Sequence, residues 1–384
     1  MRYVKALLLL LVLSALPACA SSSSSSSKTQ TQLGSEVRTL ALVDAKTGQV
    51  DSYLPGPDGV TSVVSDREGG WYVGGRFTRI GNVLRRGVVH LKSDGSIDPS
   101  FVPDLPRDMA VSPILFQAGV VFVGDFGGKG VFALDAKSGQ RLWHTSTGRD
   151  NTVSELASGN GVLYVGGDFT HVGGIARNGI AALNPITGKV TGWRVRLWNS
   201  MGYRGMGGAD AIGVASRVVY IAGLFDSING VKRERGVAAV SSRTGRPTAW
   251  APRFTGATRS LGGIASILVT HGQVLAGSVD REGGFAAFDA RSARALSWTQ
   301  RLKGGASALA SSGDTAYLGG AIENGFTRAG GSSANNLASV VLPEGRFTNW
   351  RPRLGRCTYV DALAVFGGKV FVGGYFSPEA CEAG

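Results

Sequence analysis

The chain has 384 residues, of which 43% are apolar and 17% charged, with 58 glycines, three cysteines and a formal charge of +13. This apolar share excludes a disordered chain, and glycine without a three-residue period excludes a collagen-like one. The positive charge implies affinity for anionic partners, or simply solubility, and says nothing about fold.

Residues 1–20 read as an export signal: Arg2 and Lys5 precede an apolar run from Ala6 to Leu16. Such a run is too short to cross a hydrocarbon core, which takes about twenty residues. Leu16-Pro17-Ala18-Cys19 resembles a bacterial lipobox, in which Cys19 is lipidated and becomes the mature N-terminus, although Pro17 is unusual there. Ala18-Cys19-Ala20 also fits ordinary cleavage after Ala20. The unbroken serine run 21–27 favours lipidation, because it suits a flexible tether over 21–35. The chain from 36 to 384 then suffices for one large all-β domain or two smaller ones.

Self-similarity organises that stretch. YVGGRFTRIGNVLRRGVVHL (72–91), YVGGDFTHVGGIARNGIAAL (164–183) and YIAGLFDSINGVKRERGVAAV (220–240) nearly superimpose. Weaker copies begin at 121, 274, 316 and 370. A second element follows the first, as in ALDAKSGQRLW (133–143), ALNPITGKVTGW (182–193), AVSSRTGRPTAW (239–250) and AFDARSARALSW (287–298). Each repeat predicts an apolar inner strand, a short polar turn and a second strand with a small Gly-Gly pair. A polar loop, a third strand, a turn and a fourth strand follow, the last ending in Phe101, Trp143, Trp193, Trp250, Trp298 or Trp350. Asp44, Asp135, Asn184 and Asp289 recur in the last turn, so they are read as turn acceptors rather than an acid/base pair.

Four short antiparallel strands per repeat, with no helical period, is the arithmetic of a propeller blade. Six complete blades are expected at 60–103, 109–146, 152–196, 210–253, 262–301 and 304–353. The chain ends with two unpaired strands and begins with the missing two, in LALVDAKTGQVDSY (40–53). The expectation is therefore a single seven-bladed β-propeller over 36–384, closed by a blade composed from both termini. Closure removes sheet edges. Cys357 precedes the first strand of that blade and Cys381 follows its second, so a disulfide is expected at one rim, contributing roughly 3 kcal/mol.

The GGxFTxVGGxxRxG element resembles the delta-sixty β-propeller repeats of bacterial surface and secreted proteins. The ALDxxTGxxxW element resembles the tryptophan-docking repeat of quinoprotein-like (PQQ-like) propellers. The resemblances cover nearly all of 37–381 and speak to architecture more than to function. Quinoprotein dehydrogenases imply a calcium-held cofactor and an acidic base, and no residue cluster here matches that site. Outer-membrane assembly lipoproteins carry the same docking motif without a quinone, so no cofactor is expected.

No catalytic or metal-binding set is found in the sequence. His90, His144, His171 and His271 fall at unrelated places in the repeat and lack metal-ligand spacing. The glycines at 202, 205, 207 and 208 precede no helix, so a phosphate loop is not supported. One pattern stands out. Three residues after the terminal Trp an arginine recurs, as Arg196, Arg253, Arg301 and Arg353, on the connectors between blades. The second-to-third strand loops of the same face carry further cations, among them Arg85, Arg177, Lys232 and Arg233. Guanidinium groups on one face suit carboxylate, phosphate or sulfate. The competing reading makes the repeated connector arginines structural latches on a neighbouring blade's carbonyls. The irregular stretch 198–209 adds Trp198, Tyr203 and Arg204, suited to stacking on sugars or gripping a protein segment.

The expected function is that of a monomeric, lipid-anchored extracytoplasmic module, periplasmic or at the cell surface. It binds an anionic glycan or a protein partner on its basic face, or serves as an assembly scaffold. The alternative is a quinoprotein-like or glycan-lyase-like enzyme with its site at the channel mouth. Export argues against nucleic acid as the ligand.

Overall fold

The computed structural model describes residues 38–377, apart from 55, 57–58, 149–150, 203–206, 256–257, 259–262, 280–283, 300–304, 321–325, 328–332, 335 and 356. Cys19 and the expected signal and tether lie outside the described residues, as do Tyr203, Arg204, Arg301 and Cys381.

The described chain is all-β, with helix limited to short 3-10 turns such as Glu234–Gly236. Eight of its sheets have three or four antiparallel strands; one of them is built only of the two-residue strands Leu197–Trp198, Ser227–Ile228 and Val231–Lys232, and the other seven are large. Sheet I holds Val60–Ser65, Trp71–Gly75 and Val88–Leu91; sheet II holds Val111–Gln117, Val120–Asp125, Val131–Asp135 and Arg141–Thr145. Sheet III is formed by Thr152–Gly159, Val162–Asp168 and Ile180–Leu183, and sheet IV by Ala211–Ala215, Val218–Ala222 and Val237–Ser241. Sheet V comprises Ile264–Thr270, Gln273–Ser278 and Phe285–Asp289; sheet VI comprises Ala308–Ser312, Thr315–Gly319, Leu337–Val341 and Arg346–Phe347. Sheet VII draws on both ends of the chain, in the order Val50–Leu54, Arg38–Asp44, Lys369–Ser377 and Cys357–Phe366.

Burial explains why the second strands read as almost wholly apolar. Trp71–Gly75 and Gln273–Ser278 are buried along their whole length, because each sheet is covered on both faces by its neighbours. Glycine permits that approach. A Cβ on Gly74 would collide with Ile114 of sheet II, and one on Gly166 would lie 2.7 Å from the Ala209 carbonyl oxygen of sheet IV.

The first strands of sheets I to VI pack each on the next, that of sheet VI packs on Cys357–Phe366 of sheet VII, and that strand packs on Val60–Ser65 of sheet I. Hydroxyls near their starts tie neighbours together. Thr61 Oγ1 donates to the Val111 carbonyl at 2.6 Å, Ser266 Oγ to Ala306 at 2.7 Å and Ser307 Oγ to Val360 at 3.2 Å. The ladder is bulged beside these positions in sheets I, II, III, V and VII, which turns the strand starts.

A second set of ties runs farther out. Tyr72, Tyr164, Tyr220 and Tyr317 donate their hydroxyls to the carbonyls of Ala136, Ser242, Ala290 and Ala45, each in the turn of the following sheet. The indole N–H groups of Trp143, Trp193, Trp250 and Trp350 donate to Pro185, Ser241, Asp289 and Asp44 in the same turns. Tyr317 and Trp350 thus join sheet VI to the N-terminal turn of sheet VII. Trp298 breaks the pattern: among the described residues its buried Nε1 has no partner, although the next sheet's turn closes with the same bond, from the Gly345 amide to the Val341 carbonyl, as the others do.

Two local expectations are corrected. The fourth strand is reduced to one bridge in four sheets, Leu91–Ile97, Leu183–Val190, Val240–Pro247 and Phe288–Ala295. Pro247 supplies no N–H, and threonines beyond the bridge redirect their bonds, as Thr191 N–H does to Ala182. The long polar loops are also ordered, as small hairpins at Arg79–Ile80/Val83–Leu84, His171–Val172/Ile175–Ala176 and Ser227–Ile228/Val231–Lys232.

Candidate anion-binding face

The turn acceptors behave as their positions imply. Asp44 Oδ1 accepts from the Lys46 and Thr47 amides and the Thr47 hydroxyl, and those bonds, led by the Thr47 amide, hold its carboxyl at about 2. Asp135 and Asp289 make the equivalent bonds and are likewise held low, chiefly by the hydroxyls of Ser138 and Ser292. Asn184 serves uncharged, accepting from Ile186 and Thr187. Asp44 Oδ2 also accepts from Lys369 Nζ at 3.3 Å.

The arginines divide into two kinds. Arg177 and Arg233, expected as ligand-binding candidates, follow the small hairpins and turn inward. Arg177 Nη1 and Nη2 donate to the carbonyls of Ala176 and Thr191 at 2.9 and 2.8 Å; Arg233 donates to Lys232 and Thr248, both at 3.0 Å. Arg85 repeats the geometry with Leu84 and Asp98. Each clips its hairpin to the outer edge of its own sheet, and desolvation lowers the affinity of Arg177 and Arg233 for their protons. These loop arginines are latches within one sheet, unlike the latch to a neighbouring blade that the sequence suggested for the connector arginines.

The connectors alternate. In Trp193-Arg194-Val195-Arg196-Leu197 the apolar residues are buried and both arginines are exposed. Trp250 to Phe254 and Trp350 to Leu354 repeat the pattern, leaving Arg253 and Arg353 exposed. Among the described residues the guanidinium groups of Arg253 and Arg353 have neither a carboxylate nor a carbonyl partner. Arg196 lies 5.2 Å over the ring of Trp198, which is 38% exposed. Two asparagines fix this connector: Asn178 Nδ2 donates to the Leu197 carbonyl at 2.6 Å, and Asn229 Oδ1 accepts from the Arg196 amide at 2.7 Å. Between the loops of sheets III and IV a cleft of about 330 Å³ is lined by Thr170, Arg177, Asn178, Arg194, Arg196 and Asn229, with Ala176 and Val195.

Carboxylates near the starts of first strands escaped the sequence reading. Burial pushes Glu155 up to about 8 and Asp210 and Asp361 to about 6, with the charge of Asp168 adding to the effect at Asp210. Asp210 and Asp361 share one repeat position, filled elsewhere by Thr61, Ser154 or Ser307, and Glu155 stands one residue on, where other copies have Ser62, Ser266 or Ala362. His90 was expected to be structural; its ring bridges Asp98 at 2.9 Å and Asp66 at 3.0 Å and stacks on Tyr72. Among the described residues no group of three or more His, Cys, Asp or Glu is arranged to hold a metal.

A family model for a β-propeller domain of unknown function (DUF5122) matches residues 69–101, and one for the outer membrane protein assembly factor BamB matches 104–194. Over these residues the chain resembles β-propeller repeat proteins of the PQQ-like kind. Among solved structures, the computationally designed Ika8 protein matches this propeller at 15% identity and a TM-score of 0.53, covering 88% of this chain and 90% of that one. U3-55K matches at 14% and 0.55, covering 84% and 97%, and BamB from Moraxella catarrhalis at 17% and 0.49, covering 89% and 100%. At such identities the likeness speaks to fold alone. No curated protein matches the propeller.

Proposed function

We propose that the seven large sheets are the blades of one closed propeller, exported and anchored through Cys19, whose basic face binds an anionic glycan or an acidic protein surface. The cyclic packing of first strands, and the Tyr317 and Trp350 bonds into the N-terminal turn, support closure. The match to an outer membrane assembly factor over 104–194 supports an envelope setting and a scaffold role.

The observation that carries the binding reading is the set of exposed connector arginines at equivalent positions, with no carboxylate or carbonyl partner among the described residues at Arg253 and Arg353. Of the latching arginines, Arg85 and Arg177 are buried, the latter at 6% exposure, and Arg233 is half-buried. Cations left in solvent on one face are available for ligand. Reversing Arg253 and Arg301 to glutamate should lower affinity for an anionic polymer and leave melting nearly unchanged. A large loss of stability with unchanged affinity would return these arginines to a structural role.

A second reading rests on Asp210, raised to about 6 with Asp168 acting on it electrostatically. A carboxyl raised by burial beside a second carboxylate suits acid/base work at the channel mouth. Turnover of a glycan that is lost in Asp210→Asn would establish this enzyme reading.

A further inference from the structure

The cleft between sheets III and IV concentrates what the rest of the face spreads out. Its connector wall contributes Arg194 and Arg196, and Arg177 lies in its opposite wall. Arg194 acts electrostatically on Arg177 to lower its proton affinity, which marks the two like charges as near neighbours. Among the described residues none of the three has a carboxylate partner. Arg177 Nη1 and Nη2 donate to neutral carbonyls, and among the described residues its buried Nε has no partner. Positive charge is therefore assembled here without compensation, although a carboxylate at any lining position would supply it.

The backbone beneath is fixed from both sides. Asn178 holds the Leu197 carbonyl, Asn229 accepts from the Arg196 amide, and the Asn229 amide donates to the Arg196 carbonyl at 2.9 Å. A parallel bridge joins Asn178 to Arg196. Arg194 and Arg196 thus project from an immobile strand, which lowers the ordering cost of binding. Trp198 continues that strand with its ring beside the Arg196 guanidinium, an apolar face next to a cation.

We propose that this cleft is a subsite for one acidic sugar of a carboxylated glycan. Arg194 and Arg196 take the carboxylate, and Trp198 stacks on the ring of the adjoining sugar. The proposal rests on the basic-face reading and assigns that face a place and a ligand class. Bidentate guanidinium geometry suits a planar carboxylate, and a flat aromatic edge suits a pyranose ring better than a flexible acidic side chain. Thr170 and Asn178 add neutral polar groups to the lining, as hydroxyl-bearing ligands require.

The test titrates the full folded chain with polygalacturonate, its methyl-esterified neutral form and poly-glutamate. Arg194→Gln/Arg196→Gln should weaken polygalacturonate binding about tenfold or more, because charge-assisted pairs are lost. Trp198→Ala should weaken it severalfold without changing its salt dependence, and the esterified polymer should bind poorly to every variant. Arg253→Gln/Arg353→Gln is the companion pair that reports on the face as a whole. Loss in the companion pair with no loss in the cleft pair overturns the subsite and leaves the basic-face reading standing. No binding of any polyanion by the unaltered protein overturns that reading itself. Poly-glutamate bound as tightly as polygalacturonate, with the same dependence on Arg194 and Arg196, overturns the sugar assignment in favour of an acidic protein segment.

Discussion

Glu155 offers a quantitative check on how the inner strands are packed. Its carboxyl is enclosed by protein atoms, and its Oε1 accepts only the Leu156 amide at 3.0 Å; burial moves it from 4.5 to about 8. The sign follows from linkage. A carboxyl raised in the folded state favours the protonated form, so its contribution is fully present below the unfolded value. That contribution is lost as pH rises toward about 8. Such a displacement corresponds to at most ~5 kcal/mol. The residue keeps partial access to solvent, and water there screens the charge, so ~1–3 kcal/mol is the better expectation. Glu155→Gln removes the charge while keeping the shape. Melting should therefore match the unaltered protein at pH 4.5 and exceed it by a few degrees at pH 9. An equal offset at both pH values, or a less stable variant at pH 9, would refute the reasoning. The latter would mean that the ionised carboxylate has a cationic partner.

Other consequences are simpler to read. Arg177→Met should cost about 2–3 kcal/mol by chemical denaturation, because two carbonyls lose charge-assisted donors, whereas Arg353→Met should stay within about 0.5 kcal/mol. Trp350→Phe leaves the Asp44 carbonyl without its indole donor and should cost about 1–2 kcal/mol, with hydrogen exchange rising first along Arg38–Asp44. The proposed Cys357–Cys381 disulfide predicts that both thiols resist labelling in the unreduced folded protein and react after reduction; labelling of both beforehand would exclude it.

The fold was legible because propeller repeats restate one instruction. The second-strand Gly-Gly pair, the Asp-x-x-Thr-Gly turn and the closing Trp each recur, and each has a local physical reason that a single copy displays. The split sheet VII was legible from the same logic, since the 40–53 segment has a turn and no partner of its own. The small hairpins were not, because two-residue strands such as His171–Val172 are too short to show alternation. The site was harder to read. Exposed Arg253 and latched Arg177 differ in partners that spacing does not reveal, though Arg85 and Arg177 share one signal: each stands two residues before the glycine that opens the third strand. Asp210 and Asp361 share a repeat position with Thr61, Ser154 and Ser307, and small polar residues there do not announce burial; Glu155 escaped because it stands alone at the next position.

The account turns on connector arginines that face solvent for a ligand's sake. The most direct measurement is the salt dependence of polygalacturonate affinity for the unaltered protein and for Arg196→Gln/Arg253→Gln/Arg353→Gln. Counterion release makes the slope of log affinity against log salt report the number of charges engaged. The account predicts a steep slope for the unaltered protein and a clearly shallower one for the triple variant, with melting preserved. The same slope in both would contradict it.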